Sequence, residues 1–155
     1  MPCRYLVFSK TAAVHVCKDG SKRLHQHRRV RDRASNIWDV VSVAGRSISN
    51  GFGMPVDTCA LKRRSFDTLI VVGGARWTMR SPDIGAIQLA SSKVRRLASV
   101  CTGAFVLAQC GLLDGRRVTT HWRRAAELQR EHAAVRVESD SIFIKAKRRP
   151  RPLNG

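Results

Sequence analysis

The chain has 155 residues, 43% of them hydrophobic, and a formal net charge of +18. That length suits one domain with a single core, and that apolar content excludes wholesale disorder. No apolar run approaches the length of a membrane span, and Tyr5 to Phe8 is too short a patch for a signal peptide, so the expected setting is the cytoplasm with no membrane partner.

The five cysteines (3, 17, 59, 101, 110) form no Cys-x-x-Cys pair. An odd number without paired spacing argues against a disulfide framework and against a zinc site, and the sequence calls for no metal and no cofactor. The charge is unevenly spread. Residues 1–35 hold nine Lys/Arg against two acids, and residues 145–155 hold five against none. The centre is only mildly basic, and the ends read as solvated charged tails. His15, Cys17, His25 and His27 match no ligand spacing.

In chain order, residues 1–35 are expected to be poorly organised. Tyr5 to Phe8 and Thr11 to Cys17 are strand candidates, and Leu24 to Arg33 is a charged stretch with little apolar face. Trp38 to Val43 is rich in β-branched residues and predicts a strand. Arg46 to Ser49 and Met54 to Thr58 predict a hairpin around Asn50-Gly51-Phe52-Gly53, followed by a basic loop over Leu61 to Ser65. Phe66 to Val72 is the strongest strand signal, a continuous apolar run that fits a parallel strand buried on both faces. It ends in Gly73-Gly74, where missing side chains allow close backbone approach; the alternative is a plain tight turn.

Ser81-Pro82-Asp83 opens a helix, with Ile84, Ile87, Leu89 and Val94 as its apolar positions. Leu97 to Val100 predicts a short buried strand, and Thr102 to Gln109 a helix of small and apolar residues. Strand, helix, strand, helix is the βαβ pattern of a parallel sheet. Cys101 lies on the second strand–helix join, flanked two residues either side by Ser99 and Gly103. That is the layout of a nucleophile elbow, where bulky flanks would collide. A helix start also offers backbone N–H groups to negative charge. The alternative is a buried cysteine at an ordinary junction. Cys110 to Gly115 predicts a helix cap and turn, and Arg117 to Thr120 a strand with His121 at its end. Trp122 to His132 predicts a helix with Ala125, Ala126 and Leu128 inward. Val135 to Glu138 and Ile142 to Ile144 predict two further strands. No internal repeat is present.

Three blocks carry a family resemblance: Phe66 to Gly74; Ala98-Ser99-Val100-Cys101-Thr102-Gly103-Ala104-Phe105; and Ala108 to Gly115 running on through Arg116-Arg117-Val118-Thr119-Thr120-His121-Trp122-Arg123. With Ala134 to Glu138, Asp140, Ile142 and Phe143, they resemble the ThiJ/PfpI superfamily of class I glutamine amidotransferase-like domains. Within it they are most like the N-terminal domain of AraC-type (GlxA-like) transcriptional regulators. The resemblance implies a flavodoxin-like three-layer α/β/α sandwich with a mostly parallel sheet, incomplete at both ends. It divides the chain into a poorly matched basic segment (1–35), a partial domain (36–144) and a basic disordered tail (145–155).

The resemblance also implies a pocket at the carboxyl ends of the strands. Cys101 would be its nucleophile or sensing thiol, with His121 beside it. Gly73, Gly74, Thr102 and Gly103 would bind the ligand, the Gly74 and Thr102 N–H groups forming an oxyanion-hole-like nest. The alternative for His121 is a residue that merely caps its strand end or helix start.

Departures qualify the resemblance. Residues 1–35 lack the opening strand, Pro-Gly turn and acid-bearing helix of such domains. The match breaks near Lys145, before a Trp-Thr-Ser-Ala-Gly strand and a closing helix. The expectation is a truncated or frameshifted reading frame, a fragment without the helix-turn-helix part that reads DNA. The function expected is sensing of a small-molecule effector and homo-oligomerisation, with DNA bound only through the absent part or weakly through the basic ends. A cysteine-dependent enzyme of the isonitrile hydratase type is the alternative. It would need an ordered acid beside the thiol. A third reading is nucleic-acid binding through charge alone. The sequence further predicts a marginal monomer, with unpaired strand edges beside Val135 to Val137 and Ile142 to Ile144 open to pairing between chains; the competing expectation is that residues 5–17 rebuild the missing strand and close the fold.

Overall fold

A computed structural model describes residues 37–49, 55–61, 67–73 and 81–146, together with the backbone of three short strands near the N-terminus; side chains are described for 40–47, 57–61, 67–73 and 81–146. The three short strands are β1 (Phe8–Ser9), β2 (Ala12–His15) and β3 (Arg29–Arg31). They surround β4 (Ile37–Ser42): β1 pairs with β2, and β2 and β3 flank β4, all antiparallel. The stretch Leu24 to Arg33, read from its charge as having little apolar face, thus contributes a strand, Arg29–Arg31. It pairs with the next strand along the chain (Val30 opposite Trp38), and the charged residues around Val30 mask its strand character in the sequence.

β4 ends in a turn at Gly45, whose φ is +69°. A Cβ there would stand 2.5 Å from the Ala60 nitrogen, so the turn requires glycine. Ser42 and Thr58 bond through their hydroxyls at 2.7 Å. Thr58 Oγ1 donates to the Arg46 carbonyl at 2.6 Å, which leaves Ser42 as donor to Thr58. This buried pair fastens β4 to β7 (Cys59–Ala60), which runs parallel to it. The hairpin expected around residues 50–53 is present as β5 (Ile48–Ser49) and β6 (Pro55–Val56), antiparallel.

The second half is built on parallel pairs. β8 (Thr68–Val72) pairs with β9 (Arg96–Val100) from Thr68 opposite Arg96 to Val72 opposite Val100. Leu69 and Val71 are fully buried, as the continuous apolar run predicts. β9 forms where expected, but residues 96–99 are only half-buried and Val100 is 52% exposed. The expectation of a buried strand is corrected: among the described residues β9 pairs with β8 alone, so its other edge is not sealed by a strand.

The crossover helix α1 (Ser81–Lys93) carries Asp83 in its first turn and Lys93 in its last, each favourable to the helix dipole. Ile87, Ala90, Ser91 and, just past the end, Val94 are buried. Their spacing of three and four defines one face. Leu89, two residues beyond Ile87, falls off that face and is 55% exposed, which corrects its expected inward role.

Helix α2 (Gly103–Gln109) follows β9, with Phe105 and Leu107 among the most buried side chains. Each such side chain contributes about 1.5–3 kcal/mol through burial. The helix ends as predicted: Gly111 has φ +68°, its N–H donates to the Ala108 carbonyl, and Leu112 N–H donates to the Leu107 carbonyl. Gln88 Nε2 donates to the Cys110 carbonyl at 2.9 Å and so links α1 to the end of α2.

β10 (Arg117–Val118) pairs in parallel with β11 (Arg136–Val137), joined by a 3₁₀ turn (Trp122–Arg124) and α3 (Ala125–Glu131). Ala125 and Leu128 are buried three residues apart. Ala126, one step round the helix, is exposed, contrary to expectation. Ile142 to Ile144 form no strand; Ile142 and Phe143 are 101% and 79% exposed. Alternating or apolar triplets become strands only with a partner edge, and among the described residues none lies beside them. The core joins Val41 and Leu61 from the first half to Leu69, Ile87, Phe105 and Leu128 from the second. Among the described residues, no helix is long and apolar enough to cross a membrane.

Candidate functional site

The site lies at the carboxyl end of the β8–β9 pair. Cys101 follows β9 directly and has φ +55°, the single positive φ of a non-glycine residue among the described ones. A cysteine in that region of φ stores about 1–2 kcal/mol of backbone strain, and the turn from strand to helix is what holds it there. The thiol is exposed. Among the described residues, no hydrogen bond reaches its sulfur. Its carbonyl is held from behind by Thr120 Oγ1, which donates at 2.9 Å.

Two glycines make the turn possible. Gly73 N–H donates to the Val100 carbonyl at 3.0 Å, so the end of β8 closes onto the end of β9. A Cβ on Gly73 would stand 1.9 Å from Thr102 Oγ1 and 2.5 Å from the Thr102 nitrogen. A Cβ on Gly103 would stand 2.1 Å from the Val71 carbonyl oxygen. Real Cβ atoms do not come that close, so both positions require glycine for space alone. Thr102, buried at 7% exposure, starts α2, and its carbonyl accepts from Phe105 N–H.

The structure therefore gathers Gly73, Cys101, Thr102 and Gly103 at one strand end. Gly74 lies outside the described residues, and with it the second N–H of the expected nest. His121 sits one residue beyond Thr120. Its Nδ1 accepts from Arg123 N–H at 3.3 Å, capping the 3₁₀ turn, and its ring stacks on Trp122 with centroids 5.9 Å apart. Arg123 lies over the other ring partner, 4.8 Å from the Trp122 centroid. Trp122 itself is 68% exposed. Sequence reasoning missed Thr120 as the elbow's support. Its signal was the Thr119-Thr120 pair at a strand end, where hydroxyls can reach a neighbouring carbonyl.

The remaining cysteines with described side chains contrast with Cys101. Cys59 is half-buried, and burial pushes the Cys110 thiol up to about 11. At the opposite end of β8, Asp67 holds two arginines. Arg95 Nε and an Arg95 terminal nitrogen bond its two oxygens at 2.6 and 3.0 Å, and Arg96 reaches it at 2.9 Å. The Arg95 guanidinium foremost, then the Thr68 hydroxyl and Arg96, hold the Asp67 carboxyl down at about 2, against the opposing effect of its partial burial. Among the described residues, no group of three or more His, Cys, Asp or Glu side chains is placed to hold a metal.

A parallel βαβ unit that leads into a strand–helix turn with a cysteine at positive φ marks an α/β domain. The chain belongs to the DJ-1/PfpI family, whose model matches residues 26–147. It is 44% identical over 98 residues to an uncharacterised Streptomyces lividans protein from the cpoL 5′ region, covering 59% of this chain and 68% of that one. It is 30% identical over 111 residues to the HTH-type transcriptional regulator GbdR of Pseudomonas aeruginosa, covering 69% of this chain and 30% of the regulator. To the isonitrile hydratase of Pseudomonas putida it is 41% identical over 90 residues, covering 56% of this chain and 38% of that enzyme. The chain thus spans only about a third of the length of the regulator and enzyme it matches. Among solved structures, a ThiJ/PfpI family protein from Pseudomonas syringae shares the fold at TM-score 0.59 and 18% identity, over 68% of this chain and 46% of that one. An AraC family transcriptional regulator from Pseudomonas putida does so at TM-score 0.54 and 22% identity, over 67% and 58%.

Proposed function

We propose that this domain senses a small-molecule effector and oligomerises, as the corresponding part of an AraC-type transcriptional regulator in the cytoplasm. The observation that carries the reading is the match to HTH-type regulators over 69% of this chain combined with the state of the elbow. Nucleophilic catalysis by a thiol needs a base or acid within hydrogen-bond reach. Among the described residues none bonds the Cys101 sulfur, and His121 spends Nδ1 on capping the 3₁₀ turn. An exposed thiol on a stiff turn, with Gly73, Thr102 and Gly103 packed behind it, suits contact with a ligand better than turnover. The division into a central domain over 36–144 with basic ends is part of the same proposal, as is weak, salt-sensitive binding of DNA by those ends.

The enzyme reading keeps one specific observation, the 41% identity to isonitrile hydratase. A paired experiment separates the two. Thermal-shift screening with small metabolites is expected to find a ligand whose shift disappears once Cys101 is carbamidomethylated. Incubation with alkyl and aryl isocyanides is expected to yield no N-substituted formamide. Formamide production that is lost in Cys101→Ala would replace the sensing reading with the enzymatic one.

A further inference from the structure

The outer edge of β11 is occupied by a side chain. Arg136 N–H donates to the Arg116 carbonyl and Glu138 N–H to the Val118 carbonyl, both at 2.9 Å, so these amides face β10. The Val135 N–H donates to the His132 carbonyl at 3.0 Å, while the Val135 carbonyl and the backbone groups of Val137 face the other way. There Gln129, on α3, meets both: its Nε2 donates to the Val135 carbonyl at 2.9 Å, and its Oε1 accepts from Val137 N–H at 3.0 Å. In a parallel ladder one residue of the neighbouring strand bridges residues i−1 and i+1 through the same pair of bonds. The Gln129 amide stands where that residue's peptide groups would be. The edge that the sequence marks as unpaired is therefore closed from within. Leu128, fully buried beside Gln129, and Val135, at 1% exposure, fix the helix and the strand on either side of the contact.

We propose that Gln129 seals β11 against a second copy of this chain, and that removing its amide turns the edge into a two-fold dimer interface. The occupant follows from charge and register. With Val137 offering its N–H and carbonyl outward, antiparallel pairing about Val137 sets Arg136 of one copy directly opposite Glu138 of the other, twice. Opposite charges at such directly facing positions favour pairing, and a two-fold contact of this kind closes on itself. Arg136 is exposed, and Glu138, already bonded to Arg117, keeps oxygen lone pairs for a second guanidinium. The seal stands independently of the sensing reading, because it concerns an edge on α3 and β11 and not the elbow.

The test compares the full chain with its Gln129→Leu variant, which keeps side-chain volume and helix preference but lacks the amide. In sedimentation velocity over a hundredfold concentration range, the variant is expected to associate one step beyond whatever state the unaltered chain adopts. Adding Arg136→Glu, which puts like charges opposite each other, is expected to abolish that step. An unchanged state in Gln129→Leu across the range, or association indifferent to Arg136→Glu, overturns the proposal. Should the variant fail to fold, hydrogen exchange on the unaltered chain decides: Val137 N–H protected as strongly as Arg136 N–H supports the seal. Exchange of Val137 at the rate of an open amide overturns it.

Discussion

The two ends of the β8–β9 pair are held by opposite means. At the amino end, charge does the fastening: Asp67 engages Arg95 and Arg96 by side chain, and its carbonyl accepts both of their backbone N–H groups. At the carboxyl end, the fastening depends on the lack of side chains: Gly73 and Gly103 let backbone meet backbone. The first arrangement tolerates adjustment, since long guanidinium side chains can shift and water can replace them. The second has no slack. The difference shows how one strand pair separates an end held by charge from an end held by backbone contact, with the strained cysteine placed where the packing is least forgiving.

The largest effect is expected at Gly103. Gly103→Ala puts a methyl group against a backbone oxygen, which cannot rotate away, and is expected to cost about 3 kcal/mol or more. Urea denaturation should show a large drop in midpoint or no cooperative transition. Gly73→Ala meets a hydroxyl that can turn but also the Thr102 nitrogen, so about 2–3 kcal/mol is expected. It should also slow Cys101 alkylation relative to the unaltered chain, because the elbow must shift to make room.

At the other end the effect is smaller and depends on pH. The folded-state pKa of Asp67 lies below the usual carboxylate range, so its contribution is complete above about pH 4 and is lost as pH falls through about 2. Both guanidiniums are largely in solvent, at 59% and 41% side-chain exposure, so the contribution is discounted to about 1 kcal/mol. Asp67→Asn should lower the thermal midpoint modestly at pH 7 and flatten its fall between about pH 4 and 2. An unchanged acid profile would show that Asp67 has no share in that fall.

The mildest test leaves the fold intact. With iodoacetamide at neutral pH, peptide mapping should find Cys101 modified well before Cys59, and Cys110 last, following their order of exposure. Equal rates at the three thiols in folded protein would contradict the elbow's exposed geometry.

Much of the structure at the carboxyl end of the β8–β9 pair was legible in the sequence. Ser99 and Gly103 around Cys101, the apolar run into Gly73, and Ser81-Pro82 at the start of α1 are local signals, and each element formed within a residue or two of its expected place. What stayed hidden depends on pairing and packing partners and not on local composition. Leu89 and Ala126 are apolar residues on faces that packing does not reach, and nothing in their own sequence neighbourhoods says so. β7 depends on Cys59 finding Val41, and β3 pairs with the next strand despite the charges around Val30. Ile142 to Ile144 has strand-like residues without a strand beside it. The Gln129 contact depends on which turn of α3 overlies β11, a matter of register that no spacing rule encodes.

The contacts of Gly73 with Thr102 and of Gly103 with Val71 have a mechanical consequence. Side chains between packed elements act as springs, since rotamers can change to absorb a displacement. Here the springs are missing, and covalent geometry and atomic radii set the spacing from β8 to the elbow. Close-packed protein of this kind is barely compressible and passes strain on rather than absorbing it. A push of a few tenths of an ångström at the Gly73 turn therefore arrives undamped at the Cys101 backbone, which already stands at φ +55°.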